Sequence, residues 1–330
     1  MNKYGIMFAG QGAQRPGMGR GLYEMSHAAR AVFDLAGEKI KHDCFETDEE
    51  YLKQTEVTQP AVYTMDMAAY AALREKLGAG NEGYPEPSGV AGFSLGEYAA
   101  YTAAGVIRSL EDGIALVRKR SQLMKAAGTG PDGAQIGAMA AGMGSIEAVL
   151  DLVEKTRGDD VLEAVNFNSP LQIVVAGDEA AVQRFTASAN EDRGLGVKAV
   201  PLAVSGAFHS PLMRSASEGF AEALAEYSFN EPSLPLYLNV TGAHYREYSE
   251  MAVGSASAKV RALMAFHIQS PVQWQSSVEA MAADGIETMI EIGPGRTLSG
   301  LVRRIAPGIT TYNVEDAESL SETVKRIMEG

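Results

Sequence analysis

Gly89-Val90-Ala91-Gly92-Phe93-Ser94-Leu95-Gly96-Glu97-Tyr98-Ala99-Ala100 is the stretch whose reading decides the fold. Its first four residues make a short apolar strand, and the pattern from Glu97 to Ala104 predicts a helix stopped by Gly105. Between the two lies G-x-S-x-G, the sequence of a nucleophile elbow, in the context such an elbow needs: strand before, helix after. The sharp turn puts Ser94 at strained backbone angles and exposes its hydroxyl. Glycines two residues to either side remove side chains that would strike neighbouring backbone. The helix that follows points its positive end at the site, and Leu95 N–H is placed to donate to an oxyanion.

Outward from the elbow the chain keeps alternating strands and helices. Residues 4–9 (YGIMFA) read as a buried strand ending in the glycine-rich GQGAQRPGMG. Helical patterns follow over 22–41, over about 60–77 behind Thr58-Gln59-Pro60, and over 110–127. From about 133 to 203 the order is strand, helix, two strands around Ser169-Pro170, helix, strand. This βαββαβ order is the ferredoxin-like one, with short strands and amphipathic helices able to bury a small core of their own. Beyond it, a helix around 211–227, a strand at 235–241 (PLYLNVT), helices near 255–267 and 272–284 and a strand at 288–293 (TMIEIG) return to the first grammar. The predicted fold is α/β: a mainly parallel sheet with helices on both faces, plus an inserted α+β subdomain. Residues 1–130 and 205–330 are expected to form the large catalytic domain and 131–204 the insertion.

Composition narrows the function classes. The chain has 330 residues, 46% of them hydrophobic and 21% charged, an ordinary globular balance. A net charge of −14 speaks against nucleic-acid binding, which needs a cationic surface to release counterions. An acidic protein partner would be repelled at long range, so its docking would need a local basic patch, for which Arg118, Lys119, Lys125, Arg303 and Arg304 are candidates. The one cysteine, Cys44, cannot form an internal disulfide and reads as a small buried hydrophobe. The N-terminal stretch has no signal-peptide pattern, and no run of 18 uncharged apolar residues occurs, so a cytoplasmic protein with no membrane span is expected. No His/Cys/carboxylate cluster has metal-ligand spacing, and no metal is expected. Gly128 to Gly133 matches G-x-G-x-x-G literally, but it follows a helix and contains Pro131, which argues against a dinucleotide site.

A serine hydroxyl needs a base. Of the five histidines, His27 and His42 lie in charged helical stretches, whereas His209 sits in Ser205-Gly206-Ala207-Phe208-His209-Ser210-Pro211, where a strand gives way to a loop. Loops at strand ends are where α/β proteins place catalytic groups, so His209 is the candidate base. No acidic third member appears where an ordinary hydrolase has one.

Taken together, GQGAQ (10–14), TQPA (58–61), GFSLGEYAA (92–100), VRKRSQLM (117–124), NFNSP (166–170), SGAFHSPLM (205–213), SPVQW (270–274) and EIGPGRTLSGL (291–301) resemble the malonyl-CoA:acyl carrier protein transacylases essentially end to end. The resemblance implies an α/β-hydrolase-like large domain with a ferredoxin-like insertion. It further implies that Ser94 is acylated, that His209 is general base and then acid, and that Gln11 and Leu95 give backbone N–H groups to the oxyanion hole. By the same resemblance Arg120 binds the malonyl carboxylate, with Asn168 and His267 also on the substrate side. On its own, Arg118-Lys119-Arg120 reads as a solvated helix face; the resemblance selects the third residue. A planar guanidinium can hold a carboxylate through two parallel hydrogen bonds, which a neutral acyl group cannot offer. The family holds its histidine by a main-chain carbonyl, here in the segment Ala265 to Pro271. Two positions depart from it: Phe93 replaces a usual His and should make the pocket floor less polar, and His267 replaces a usual Gln. The implied partners are malonyl-CoA and acyl carrier protein, with no cofactor beyond the CoA and phosphopantetheine the substrates carry, and a monomer is expected. Two rivals keep the elbow or the surface: a serine thioesterase or hydrolase in which water attacks the acyl-enzyme, and a catalytically silent docking protein. Within acyl transfer, a trans-acting acyltransferase of a polyketide synthase is the alternative to fatty acid synthesis.

Overall fold

The computed structural model describes residues 3–329. Four parallel strands form the first sheet in the order β2-β1-β7-β8: β1 (Tyr4–Phe8), β2 (Gly89–Gly92), β7 (Thr288–Ile292) and β8 (Thr310–Val314). Every residue of β1 and of β2 is buried, as continuous apolar strands are when helices cover both faces of a parallel sheet. The second sheet, order β4-β5-β3-β6, is antiparallel throughout: β3 (Ala138–Met143), β4 (Leu162–Ser169), β5 (Gln172–Gly177) and β6 (Lys198–Pro201). Its two helices, Ile146–Arg157 and Glu179–Glu191, complete a βαββαβ unit, so the α/β class with a ferredoxin-like portion is the observed fold.

Alternation along the second sheet explains how it joins the first. Ala140, Ile173 and Val175 face their own helices and pack with Val149, Leu152 and Phe185. Their neighbours Met139, Ala141, Val174 and Ala176 point the other way and pack into the core of the large sheet. A single parallel bridge, Asn166 to Val272, ties β4 to the chain that follows the large-sheet helices. The seam between the sheets is where the cavity described below opens.

Several elements differ from the sequence reading. The helix expected over 22–41 is three helices, Arg20–Met25, His27–Ala36 and Glu38–Phe45, because Ser26 caps Ala29 N–H and Gly37 takes a positive φ. Thr58-Gln59-Pro60 does not start its helix: Thr55–Leu77 begins earlier, with Gln54 O accepting from Val57 and Thr58, and Pro60 lies inside. Residues 235–241 are not a full strand. They touch β2 through one bridge, Val90 to Leu236, and the chain then turns so that Asn239 can meet the elbow. The helix expected over 211–227 is a short 3₁₀ turn, Pro211–Met213, followed by Arg214–Leu224.

Candidate active site

The elbow is built by glycine sterics. A Cβ on Gly92 would lie 2.0 Å from the carbonyl carbon and oxygen of Gly96, and one on Gly96 would lie 2.2 Å from Phe8 O. Only bare backbone lets β2, β1 and the helix Gly96–Ala103 meet so closely. Ser94 and His209 are the only non-glycine residues with positive φ among the described residues, at 50° and 64°. Left-handed backbone at a non-glycine residue costs free energy and persists where surrounding contacts over-determine it.

Those contacts join the two residues. Ser94 Oγ lies 2.7 Å from His209 Nε2. On the other side of the ring, Nδ1 lies 3.1 Å from both His267 O and Ser270 O. Two carbonyl acceptors require Nδ1 to carry the proton, which leaves the Nε2 lone pair facing the serine hydroxyl. Burial first, then the His267 ring and the Arg120 guanidinium, hold the imidazole well below the usual histidine range, against the opposing pull of the two carbonyls. The ring is therefore neutral at neutral pH and able to accept a proton from Ser94. The acceptors at Nδ1 are both main-chain carbonyls, so no side-chain acid orients the ring in this position.

Arg120 meets the same oxygen. It is 1% exposed, with Nη2 3.1 Å from Ser94 Oγ, Nη1 2.8 Å from Gln59 Oε1, and its guanidinium 5.4 Å from the centre of the Tyr98 ring. No carboxylate among the described residues pairs with it, and its Nε has no partner. Burial lowers its pKa while Tyr98 and Glu97 oppose, but a guanidinium keeps its proton. A buried cation without a counter-ion is held at a cost of several kcal/mol, which an arriving anion would offset. Its neighbours Arg118 and Lys119 are exposed, as expected of a solvated face. Arg120 differs because it falls on the buried stripe Gly113, Val117, Arg120, Met124.

Ser94, His209, Arg120, Gln11 and Asn168 line one cavity of about 600 Å³. Its floor includes Phe93, packed edge-on against Trp274 with ring centres 5.6 Å apart; its far wall is the apolar face of the second sheet, and Arg296 and Arg304 stand among its lining residues. The Gln11 side chain is fixed by Thr55 Oγ1 and Gln59, and neither Gln11 N–H nor Leu95 N–H has an acceptor among the described residues. Asn168 Oδ1 is buried without a partner, as is Asn166 Oδ1 two residues before it on the same wall. His267, expected on the substrate side, does not line the cavity. Its ring is buried behind His209, 5.2 Å between centres, with Nδ1 2.7 Å from Glu97 Oε2. Of the proposed basic patch, Lys125 pairs with Glu56 and Arg304 donates to Gln172 across the seam.

Four residues of this constellation carry no role in the sequence reading: Gln59, Glu97, Asn166 and Asn239. Asn239 straddles the elbow, its Oδ1 accepting from Ser94 N and its Nδ2 donating to Gly92 O, each at 2.7 Å. For Asn166 a signal was present: Asn-x-Asn in a strand puts both amides on one face.

An α/β fold that presents a serine at an elbow to a neutral, buried histidine belongs to the class that does serine acyl chemistry. The family described as "Acyl transferase domain" matches residues 6–322, and the chain belongs to it: it is an acyltransferase. It is 34% identical over 333 residues to the malonyl CoA-acyl carrier protein transacylase of Bacillus subtilis (strain 168), covering 100% of this chain and 98% of that one. Among solved structures, that of the malonyl CoA-acyl carrier protein transacylase from Clostridium perfringens superposes with a TM-score of 0.87 at 34% identity, covering 99% of this chain and 98% of that one. A malonyl-transacylase solved in complex with its type II polyketide-synthase acyl carrier protein gives 0.86 at 31% identity, over 98% of this chain and 100% of that one. No helix among the described residues is long and apolar enough to cross a membrane.

Proposed function

We propose that this acyltransferase moves a malonyl group from malonyl-CoA to the phosphopantetheine thiol of an acyl carrier protein, by a ping-pong mechanism through malonyl-Ser94. His209 Nε2 takes the Ser94 hydroxyl proton as Oγ attacks the thioester carbonyl. The Gln11 and Leu95 N–H groups, both without another acceptor among the described residues, receive the oxyanion. The C–S bond breaks and His209 returns the proton to the leaving CoA sulfur. The carrier thiol then gives its proton to Nε2, attacks the malonyl-serine, and the C–O bond breaks with the proton restored to Ser94.

The observation that carries the substrate choice is Arg120, a buried guanidinium with no carboxylate partner among the described residues, 3.1 Å from the nucleophile. A malonyl carboxylate supplies the missing anion; an acetyl group does not. Asn166 and Asn168, each with a free buried carbonyl oxygen, face the same cavity from the second sheet, which we take as an inserted subdomain over 131–204 closing on a catalytic domain formed by 1–130 and 205–330. The relatives that match end to end are named for this reaction, which supports the same reading. Single-turnover assays with malonyl-, methylmalonyl- and acetyl-CoA, scoring transfer to a carrier thiol against hydrolysis, test it. Malonyl preference with transfer faster than hydrolysis is expected; rapid hydrolysis with little transfer would make the chain a thioesterase.

A further inference from the structure

The contacts around Ser94 and His209 close into a ring whose far side the mechanism above does not use. Ser94 N donates to Asn239 Oδ1 at 2.7 Å, and Asn239 N donates to Glu97 Oε1 at 2.9 Å. Glu97 Oε2 lies 2.7 Å from His267 Nδ1, and His267 O is one of the two acceptors of His209 Nδ1. Glu97 and His267 are 0% and 1% exposed. They come from different elements, Glu97 from the helix that leaves the elbow and His267 from the last turn of Ala256–His267.

We propose that Glu97 and His267 are positioning residues for the dyad, a buried pair that locks the nucleophile's elbow and the base's main-chain acceptor into one register. This rests on the reading of Ser94 and His209 as the reacting pair. A carboxylate away from water needs a partner for each oxygen. Here Oε1 accepts from Asn239 N–H, and through it holds Ser94 N–H; Oε2 has no hydrogen-bond partner among the described residues and is faced at 2.7 Å by the ring of the residue whose carbonyl orients His209, a close contact of the two groups. Without the His267 ring, Oε2 is left buried with nothing to meet, so either the carboxylate or the end of helix Ala256–His267 must shift. Either movement displaces one side of the 2.7 Å Ser94–His209 contact.

The test compares His267→Leu with His267→Asn, side chains of similar shape of which only asparagine keeps a donor at the Nδ1 position. Two rates are measured: acylation at saturating malonyl-CoA, and inactivation of Ser94 by a fluorophosphonate, which needs no acyl-CoA. His267→Leu is expected to slow both by about 10- to 100-fold, the scale of stranding a buried charged group without the polar contact that faces it, with KM changed less than about threefold. His267→Asn should stay within about threefold of the native rates. If the leucine variant does not fold, Glu97→Gln, which turns an amide against the ring, is read in its place and should slow both rates at least about tenfold. Native rates in the leucine variant, an effect confined to KM, or asparagine as slow as leucine would overturn the assignment. A wild-type chain that refuses malonyl yet shows this order of inactivation rates would overturn the substrate reading and leave the positioning pair standing.

Discussion

Replacing Arg120 separates substrate choice from folding. In the free protein its guanidinium makes two hydrogen bonds, to Gln59 and Ser94, and leaves Nε buried without a partner among the described residues. A bidentate carboxylate would add charge-assisted hydrogen bonds, each contributing about 1.5–3 kcal/mol, part of which replaces the Ser94 contact. The net loss in Arg120→Ala should therefore be about 2–4 kcal/mol in malonyl transfer, or about 30- to 1000-fold in kcat/KM. Acetyl transfer does not use the guanidinium and should fall much less, so the malonyl-to-acetyl ratio should drop by most of that factor. Arg120→Met keeps much of the side-chain volume. It should leave thermal stability unchanged or raised, because an uncompensated buried cation is exchanged for an apolar group. The assay is single-turnover acylation of Ser94 by each thioester, run beside thermal unfolding of both variants. An unchanged malonyl-to-acetyl ratio, or parallel losses for both acyl groups, would refute the role of Arg120 as carboxylate partner.

Other outcomes follow from the same geometry. Because His209 is held well below its ordinary range near pH 6.5, kcat/KM for acylation should stay flat from pH 8 down through 6.5 and fall only at lower pH; a midpoint at or above 6.5 would contradict this. The same depression means folding favours the neutral ring, so its contribution to stability is complete above about pH 6.5 and is lost as pH falls toward the folded value; His209→Gln should lack that loss in thermal melts. Gly92→Ala forces a Cβ to 2.0 Å from Gly96 and should destabilise by more than about 3 kcal/mol, seen as loss of folded protein; a native melting curve would disprove the close approach. Asp66 is fully buried with neither carboxyl oxygen hydrogen-bonded among the described residues, and burial, then Glu291, push its pKa well up. The folded state therefore binds a proton that the unfolded state releases above about pH 3.9, so this group's contribution weakens as pH rises. Asp66→Asn should raise Tm more at pH 8 than at pH 4.5, and an equal change at both would refute the buried-acid reading.

How much of this was legible in the sequence depended on how local the cause was. The elbow could be read because its determinants, Gly92, Ser94 and Gly96, lie within five residues and act by excluding side chains. The second sheet could be read because its short strands fall in βαββαβ order with helices that each have one apolar face. Arg120 was half legible: its charge suggests solvent, while its place on the stripe with Val117 and Met124 puts it inside. Charge dominates such a reading until the cavity is seen. Glu97, Asn239 and His267 were not legible as a group, since their contacts join residues 142 or more apart or separate helices. The edge strand β8 escapes for another reason. Only its last two residues are buried, so TTYNV carries little periodic signal.

The central claim is a malonyl group carried on Ser94 and surrendered to a carrier thiol. The most direct measurement is intact-protein and peptide mass spectrometry of the wild-type chain and Ser94→Ala, after a malonyl-CoA pulse and again after a chase with phosphopantetheinylated acyl carrier protein. One malonyl group per wild-type chain, mapped to the Ser94 peptide, absent from Ser94→Ala and recovered on the carrier after the chase, is the predicted result. Labelling that persists in Ser94→Ala, or malonyl released to water and not to the carrier, would contradict it.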